Sequence, residues 1–216
     1  MPIPSSHKQK INGYYFITDS GLSITGNASD VEKAVSCGVG VVQYRNKQAT
    51  TRQMIDEARV LRALCQNVLF LVNDRVDIAL ASGADGVHLG QDDMPYAMAR
   101  KLLGDGAVIG VTVHTVEEAL QAQKHKADYI GVSPIYLTST KIDAGLASGP
   151  ELIRSIKTNV TLPVIAIGGI THANAREVID AGADGLCAIS AVVCSDDVEK
   201  AINRFQKLFP PPINKK

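Results

Sequence analysis

Residues 43–47 read QYRNK and follow the apolar run GVGVV, so an amide, a guanidinium and an ammonium stand at alternate positions. A strand sends alternate side chains to one face. Gln43 and Arg45 therefore point the same way, and Lys47 continues the row where the strand ends. Two cations and an amide converging there are donors suited to a small anion such as a diphosphate. Comparable polar groups recur after other apolar runs: Asn73 and Asp74 after LFLV, Asp93 after GVHLG, Thr112 closing VIGVT, and the run TSTK at 138–141.

The pattern sorts into two anion sites and a metal. Arg45, Lys47 and Lys141, with Asn73 and the hydroxyls of Thr138, Ser139 and Thr140, form one cationic region. Asp74 and Asp93 add carboxylates beside those cations. That combination points to Mg²⁺, a hard ion that takes one or two carboxylates together with phosphate oxygens and water. Helix capping, or an Asp74–Arg75 ion pair, is the competing role. Gly168 and Gly169 close PVIAIGG, and Ile189 and Ser190 close GLCAIS. Backbone amides in such a glycine loop and at a helix start make a second cradle for phosphate; a plain tight turn is the alternative. His88, between Val87 and Leu89, points inward as a core histidine first and a substrate hydrogen-bond partner second. Asp92 and Ser20 read as caps, and His114 and His172 receive no role.

The elements that carry these residues alternate. Eight short β-rich runs, YYFIT, GVVQY, LFLVN, GVHLG, VIGVT, YIGVS, PVIAIGG and GLCAIS, are separated by stretches with helical spacing such as ATTRQMIDEARVLRALCQ and TVEEALQAQKHK. Several runs are apolar on both faces, as strands of a parallel sheet buried on both sides must be. VDIALASGADGVHLG and AREVIDAGADGLCAIS repeat a helix end, a Gly-Ala-Asp-Gly turn and a new strand. Eight such units of roughly 27 residues predict an α/β fold, a single (β/α)₈ TIM barrel over 1–216, with 1–12 and 209–216 as frayed tails. In that fold the chemistry sits at the carboxyl ends of the strands, where the polar residues above all fall.

With 22 basic and 22 acidic residues in 216, the bulk charge suits neither nucleic acid nor a membrane surface. The opening MPIPSSHKQK lacks the apolar core of a signal peptide and no apolar run reaches spanning length, so a cytoplasmic location is expected. Cys37, Cys65, Cys187 and Cys194 have no disulfide or zinc spacing and are expected as free thiols.

The motifs VQYRNK, NDR, DGVHLGQDD, GVTVHT, DYIGVSPIYLTSTK, PVIAIGGI and GLCAIS, spread from Tyr14 to about Ala201, resemble the thiamine phosphate synthase family. The resemblance implies a transferase. Its donor, hydroxymethylpyrimidine diphosphate, loses diphosphate, and the nitrogen of hydroxyethylthiazole phosphate captures the pyrimidine-methyl cation. Carried over by motif, Gln43, Arg45, Lys47, Asn73, Thr112 and Lys141 serve the pyrimidine diphosphate. Asp74 and Asp93 hold Mg²⁺, and Thr138, Thr140, Gly169, Ile189 and Ser190 bind the thiazole phosphate. The partners implied are these small molecules, with a homo-oligomer allowed. Four positions depart from the usual pattern: Tyr44 for leucine, Asn46 for glutamate, Thr112 for serine and Leu137 for proline. A thiazole tautomerase of the same superfamily and a non-catalytic thiazole phosphate-binding regulator are the rival readings, and neither needs the full cationic and acidic set.

Overall fold

A computed structural model describes residues 11–138 and 146–210. Nine strands form one parallel sheet: β1 (Gly13–Tyr14), β2 (Phe16–Ile17), β3 (Val41–Tyr44), β4 (Leu69–Asn73), β5 (Gly86–Leu89), β6 (Val108–Val113), β7 (Tyr129–Val132), β8 (Val164–Ile167) and β9 (Gly185–Cys187). Strands β2 to β9 pair in sequence order. β1 pairs with β9, in the register Tyr14 to Leu186, while β2 pairs with β3, in the register Ile17 to Gln43. The run YYFIT is thus one expected strand divided at Tyr15, its first half bonded to the last strand and its second half to the next. That division closes the sheet, and the architecture is the (β/α)₈ barrel.

The helices lie between strands as the sequence spacing requires. They are α1 (Asn27–Ser36), α2 (Thr51–Leu64), α3 (Val76–Ser82), α4 (Tyr96–Leu103), α5 (Val116–Lys124), α6 (Pro150–Asn159), α7 (Ala175–Asp180), α8 (Ser190–Val193) and α9 (Val198–Gln206). Local chemistry sets their ends. Thr50 and Gln53 form a reciprocal capping box at the start of α2, and Thr115 caps α5 by accepting from the Glu118 amide. α3 stops at Gly83, which adopts the left-handed conformation (φ 68°) that glycine takes without steric cost.

Two apolar cores result from the two faces of the sheet. The larger lies between barrel and helices and includes Phe16, Val42, Phe70, Val87, Ile130 and Leu186. The smaller fills the barrel interior with Ile11, Tyr15, Ile17, Val41, Leu69, Leu71, Val108, Tyr129, Ile165 and Cys187. Ile11, assigned to a frayed tail on sequence, is instead buried in that interior; residues 1–10 and 211–216 lie outside the described set. Among the described residues no helix is long and apolar enough to cross a membrane. All four cysteines are free thiols.

Candidate active site

A cavity of about 290 Å³ opens at the carboxyl ends of the strands, and the sequence-nominated residues meet there. Gln43, Arg45, Lys47, Asn73, Asp74, His88, Asp93, Thr112, Thr138, Gly169, Ile189 and Ser190 all line it. Lys141 and Thr140 lie outside the described residues.

The cationic row begins on β3. Arg45 donates to Asp19 at 2.6 Å, and its backbone N–H is held by the Thr18 hydroxyl at 2.9 Å. The Asn46 carboxamide oxygen then accepts from the amides of Gln48 and Ala49, which turns the chain at the strand end. Lys47 is carried over the cavity and pairs with the Asp74 carboxylate. Asp74 occupies the left-handed region (φ 63°), a conformation that costs a non-glycine residue on the order of 1 kcal/mol or more and clusters at functional sites. Its amide donates to the His88 carbonyl at 2.8 Å. The expected competitor for Asp74 is otherwise engaged: Arg75 pairs with Asp77, two residues on, at 2.6 Å.

Asp74 and Asp93 are close enough to hydrogen-bond to each other. Burial opposes ionisation of Asp74, yet the Lys47 ammonium and the Asp93 contact outweigh it and hold its carboxyl below the ordinary value. Asp93 moves the other way. Burial and the adjoining Asp74 carboxylate push it up, against a bond from the Gly90 amide at 2.6 Å. Two carboxylates in contact must share a proton or a cation. Among the described residues no three His, Cys, Asp or Glu side chains gather as a ligand set, so this pair is what the site offers a metal. Mg²⁺ fits it, since that ion uses one or two carboxylates and completes its shell with water and substrate oxygens.

Across the cavity, Gly168 and Gly169 follow β8 with φ of 100° and 63°. A Cβ on Gly168 would stand 2.8 Å from the Pro134 Cα, and one on Gly169 would stand 2.4 Å from the Leu137 carbonyl oxygen. The glycines therefore allow this loop to lie against residues 134–137, where the Tyr136 amide donates to the Gly168 carbonyl at 3.0 Å. Their turn-forming role is real, and it brings the loop beside Ile189 and Ser190 at the start of α8.

The cavity floor is a hydrogen-bonded ladder that sequence reasoning only half anticipated. Gln43 Nε2 donates to the Tyr15 hydroxyl at 2.7 Å, which meets the Tyr129 hydroxyl at 2.8 Å. Tyr129 meets His88 Nδ1 at 2.8 Å, and His88 Nε2 meets the Thr112 hydroxyl at 2.8 Å. Burial pushes both phenols well above their ordinary value, so they remain neutral. Tyr15 and Tyr129 carried a usable signal, since each alternates onto the inward face of its run with a polar tip. Gly110 and Gly131 leave room for the rings: a Cβ on Gly110 would fall 2.1 Å from the Tyr129 Cζ, and one on Gly131 would fall 2.9 Å from the His88 Cε1. His114, given no role on sequence, also lines the cavity and donates from Nδ1 to the Ser133 carbonyl at 2.5 Å. His172 lies elsewhere, stacked on Phe205 with ring centroids 3.8 Å apart.

The family departures fall mostly outside the bowl. Tyr44 alternates to the helix side, where its hydroxyl donates to Glu57 on α2 at 2.6 Å, and Asn46 donates to the same carboxylate at 3.2 Å. Thr112 is inside, held by His88. Leu137 is exposed.

Fold and cavity together define a (β/α)₈-barrel protein whose bowl is lined by cations, a carboxylate pair and a glycine loop. A family model described as thiamine monophosphate synthase matches residues 14–192. The thiamine-phosphate synthase of Methanosarcina barkeri is 53% identical over 193 residues, covering 89% of this chain and 88% of that one. That of Chloroflexus aurantiacus is 51% identical over 197 residues, covering 90% and 91%. A solved thiamine phosphate pyrophosphorylase from Pyrococcus furiosus superposes with a TM-score of 0.85 at 41% identity, covering 93% of this chain and 96% of that one. The chain belongs to the thiamine monophosphate synthase family.

Proposed function

We propose that this enzyme joins 4-amino-2-methyl-5-(diphosphooxymethyl)pyrimidine to hydroxyethylthiazole phosphate, giving thiamine phosphate and diphosphate. The observation that carries the reading is the Lys47–Asp74–Asp93 cluster facing the Gly168-Gly169 and Ser190 loops across one cavity. Diphosphate against the first and monophosphate against the second would bring donor carbon and acceptor nitrogen together above the floor.

In this reading Arg45, Lys47 and Asn73 bind the diphosphate, and Lys141 adds to them from the TSTK run. Asp74 and Asp93 would hold Mg²⁺, which when bound neutralises charge growing on the leaving diphosphate. The C–O bond to diphosphate breaks, its electron pair leaving with the diphosphate, and the thiazole nitrogen supplies the pair for the new C–N bond. No proton need be removed to start the reaction, so the side chains act by position and charge. Thr138, Thr140, Gly169, Ile189 and Ser190 hold the acceptor. A tautomerase or a regulator would leave the carboxylate pair and its lysine without a task. The proposal includes a cytoplasmic location, which suits four free thiols.

The test is a coupled assay with both substrates, with Mg²⁺ and with EDTA. Turnover requires both substrates and the metal, and Asp93→Ala keeps its fold while losing most activity. Ser190→Asp raises KM for the thiazole phosphate and leaves binding of the pyrimidine diphosphate nearly unchanged. Full activity of Asp93→Ala in EDTA sinks the metal assignment.

A further inference from the structure

Gln43 is 1% exposed, and its Oε1 is buried without a hydrogen-bond partner while the residue lines the cavity. A buried amide oxygen left bare costs stability unless a ligand donor completes it. Which atom of the amide faces the ligand depends on the ladder beneath it. A carboxamide can turn over, exchanging its oxygen for its NH₂ at nearly the same place, so something must fix it.

With a neutral His88 the ladder can run in only two directions. With Gln43 Nε2 donating to Tyr15, the Tyr15 proton goes to Tyr129 and the Tyr129 proton to His88 Nδ1. His88 then carries its proton on Nε2 and gives it to Thr112. Every bond along this path is satisfied, and it leaves the Gln43 oxygen and the second Nε2 hydrogen for a ligand. Run backwards, Thr112 donates to His88 Nε2 and His88 Nδ1–H to Tyr129. The Tyr15 proton must then find the Gln43 oxygen, so the amide turns and shows the ligand only N–H groups.

We infer that Tyr15 and Tyr129 are positioning residues that hold the Gln43 amide with its oxygen toward the ligand, making the floor read a donor-next-to-acceptor edge. An aminopyrimidine presents that edge, through its amino group and adjacent ring nitrogen. The matching pyrimidinone presents the reverse, a carbonyl beside a ring N–H. Neither phenol touches the phosphates or the reacting bond; each acts through Gln43. The inference rests on the proposed donor binding over this floor.

Two measurements test it. Calorimetry compares the 4-amino donor with its 4-oxo analogue, both as diphosphates. The parent favours the amino form by about a hundredfold, since the wrong edge leaves two buried groups unpaired. Tyr15→Phe frees the amide and lowers that ratio about tenfold. Tyr129→Phe lowers it at least as far, because the Tyr15 proton then has only the Gln43 oxygen left to bond. Both ratios fall mainly through tighter binding of the oxo form, whereas loss of mere structural support weakens both ligands together and leaves the ratio alone. Nitrogen-15 spectra of the parent at neutral pH provide the second arm, and the His88 ring is expected as the Nε2–H tautomer. An Nδ1–H tautomer, or a ratio unchanged in both variants, overturns the inference. If the parent binds neither diphosphate, the functional reading fails instead, and the tautomer still decides the direction of the ladder.

Discussion

Adding one methyl group at two inward-facing glycines should separate the stability of the barrel from its chemistry. At Gly110 the new Cβ would lie 2.1 Å from the Tyr129 Cζ, 2.3 Å from Cε1 and 2.5 Å from the hydroxyl oxygen. Carbon atoms rest about 3.5–4.0 Å apart, so ring or backbone must move by roughly 1.5 Å. Tyr129 is 1% exposed and held by Tyr15 and His88, so it has nowhere to go. Gly110→Ala should cost at least the upper end of overpacking, about 3 kcal/mol. For a chain of this size that is a fall in Tm of about 6–12 °C. At Gly131 the clash is milder, 2.9 Å to the His88 Cε1 and 3.3 Å to Nε2, against the far end of a side chain. A shift of about half an ångström relieves it, at roughly 1 kcal/mol. That shift is taken from the bond between His88 and Thr112, in the cavity floor. Misplacement of this size costs about tenfold in kcat/KM. Differential scanning fluorimetry and steady-state kinetics on both variants read the two effects. A Gly131→Ala protein that melts as early as Gly110→Ala, or a Gly110→Ala protein within about 2 °C of the parent, would refute the reasoning.

Two further outcomes follow from the surroundings of the site. Glu57 accepts from Tyr44, Asn46 and, at 2.8 Å, Asn27. Glu57→Gln leaves one of these donors unmatched, so melting should show a loss of about 1–3 kcal/mol, and kinetics a higher KM for the diphosphate with kcat little changed. An unaltered Tm and KM would show that the cluster does not support the Lys47 loop. Among the thiols, Cys194 is exposed and Cys65 and Cys187 are buried, the Cys65 thiol being pushed up to about 12 by burial. Ellman's reagent should label Cys194 in the folded protein and reach Cys65 and Cys187 only after denaturation. A shift of several degrees in Tm on adding reductant would instead reveal a structural disulfide.

The barrel was legible because its signals are local. Each apolar run is a strand by length and β-branching, and each intervening stretch is a helix by its spacing. The division of YYFIT at Tyr15 was not legible, since it depends on two different neighbouring strands pairing with its halves. The same limit governs the site. Alternation alone places Gln43, Arg45 and Lys47 of QYRNK on one row. The choice between Asp77 and Asp74 as partner of Arg75 is set by a left-handed residue at 74, which no spacing reveals. Tyr44 and Asn46 look like losses on sequence because their partner, Glu57, stands 13 and 11 residues away on a helix.

Taken at two-residue steps, the inward row of β3 and its following loop runs Val41, Gln43, Arg45, Lys47. β4 gives Leu69, Leu71, Asn73, and β7 with its loop gives Tyr129, Gly131, Ser133. On β3 the order is apolar, amide, guanidinium, ammonium; Val41 and Gln43 are each 1% exposed, while the Arg45 and Lys47 side chains are 16% and 53% exposed. The interior is therefore graded in polarity from floor to mouth. Ions near the floor would lack water and phosphate to offset their desolvation, whereas neutral hydroxyls and an amide can satisfy one another there. At the mouth the cations are offset by the Asp19 and Asp74 carboxylates and by water, as the proposed diphosphate site requires. A low-dielectric floor beneath them also strengthens their pull on charge forming just above it. Tyr44 and Asn46 bear on Glu57, off this row, which is why two departures beside Gln43, Arg45 and Lys47 leave those side chains in place.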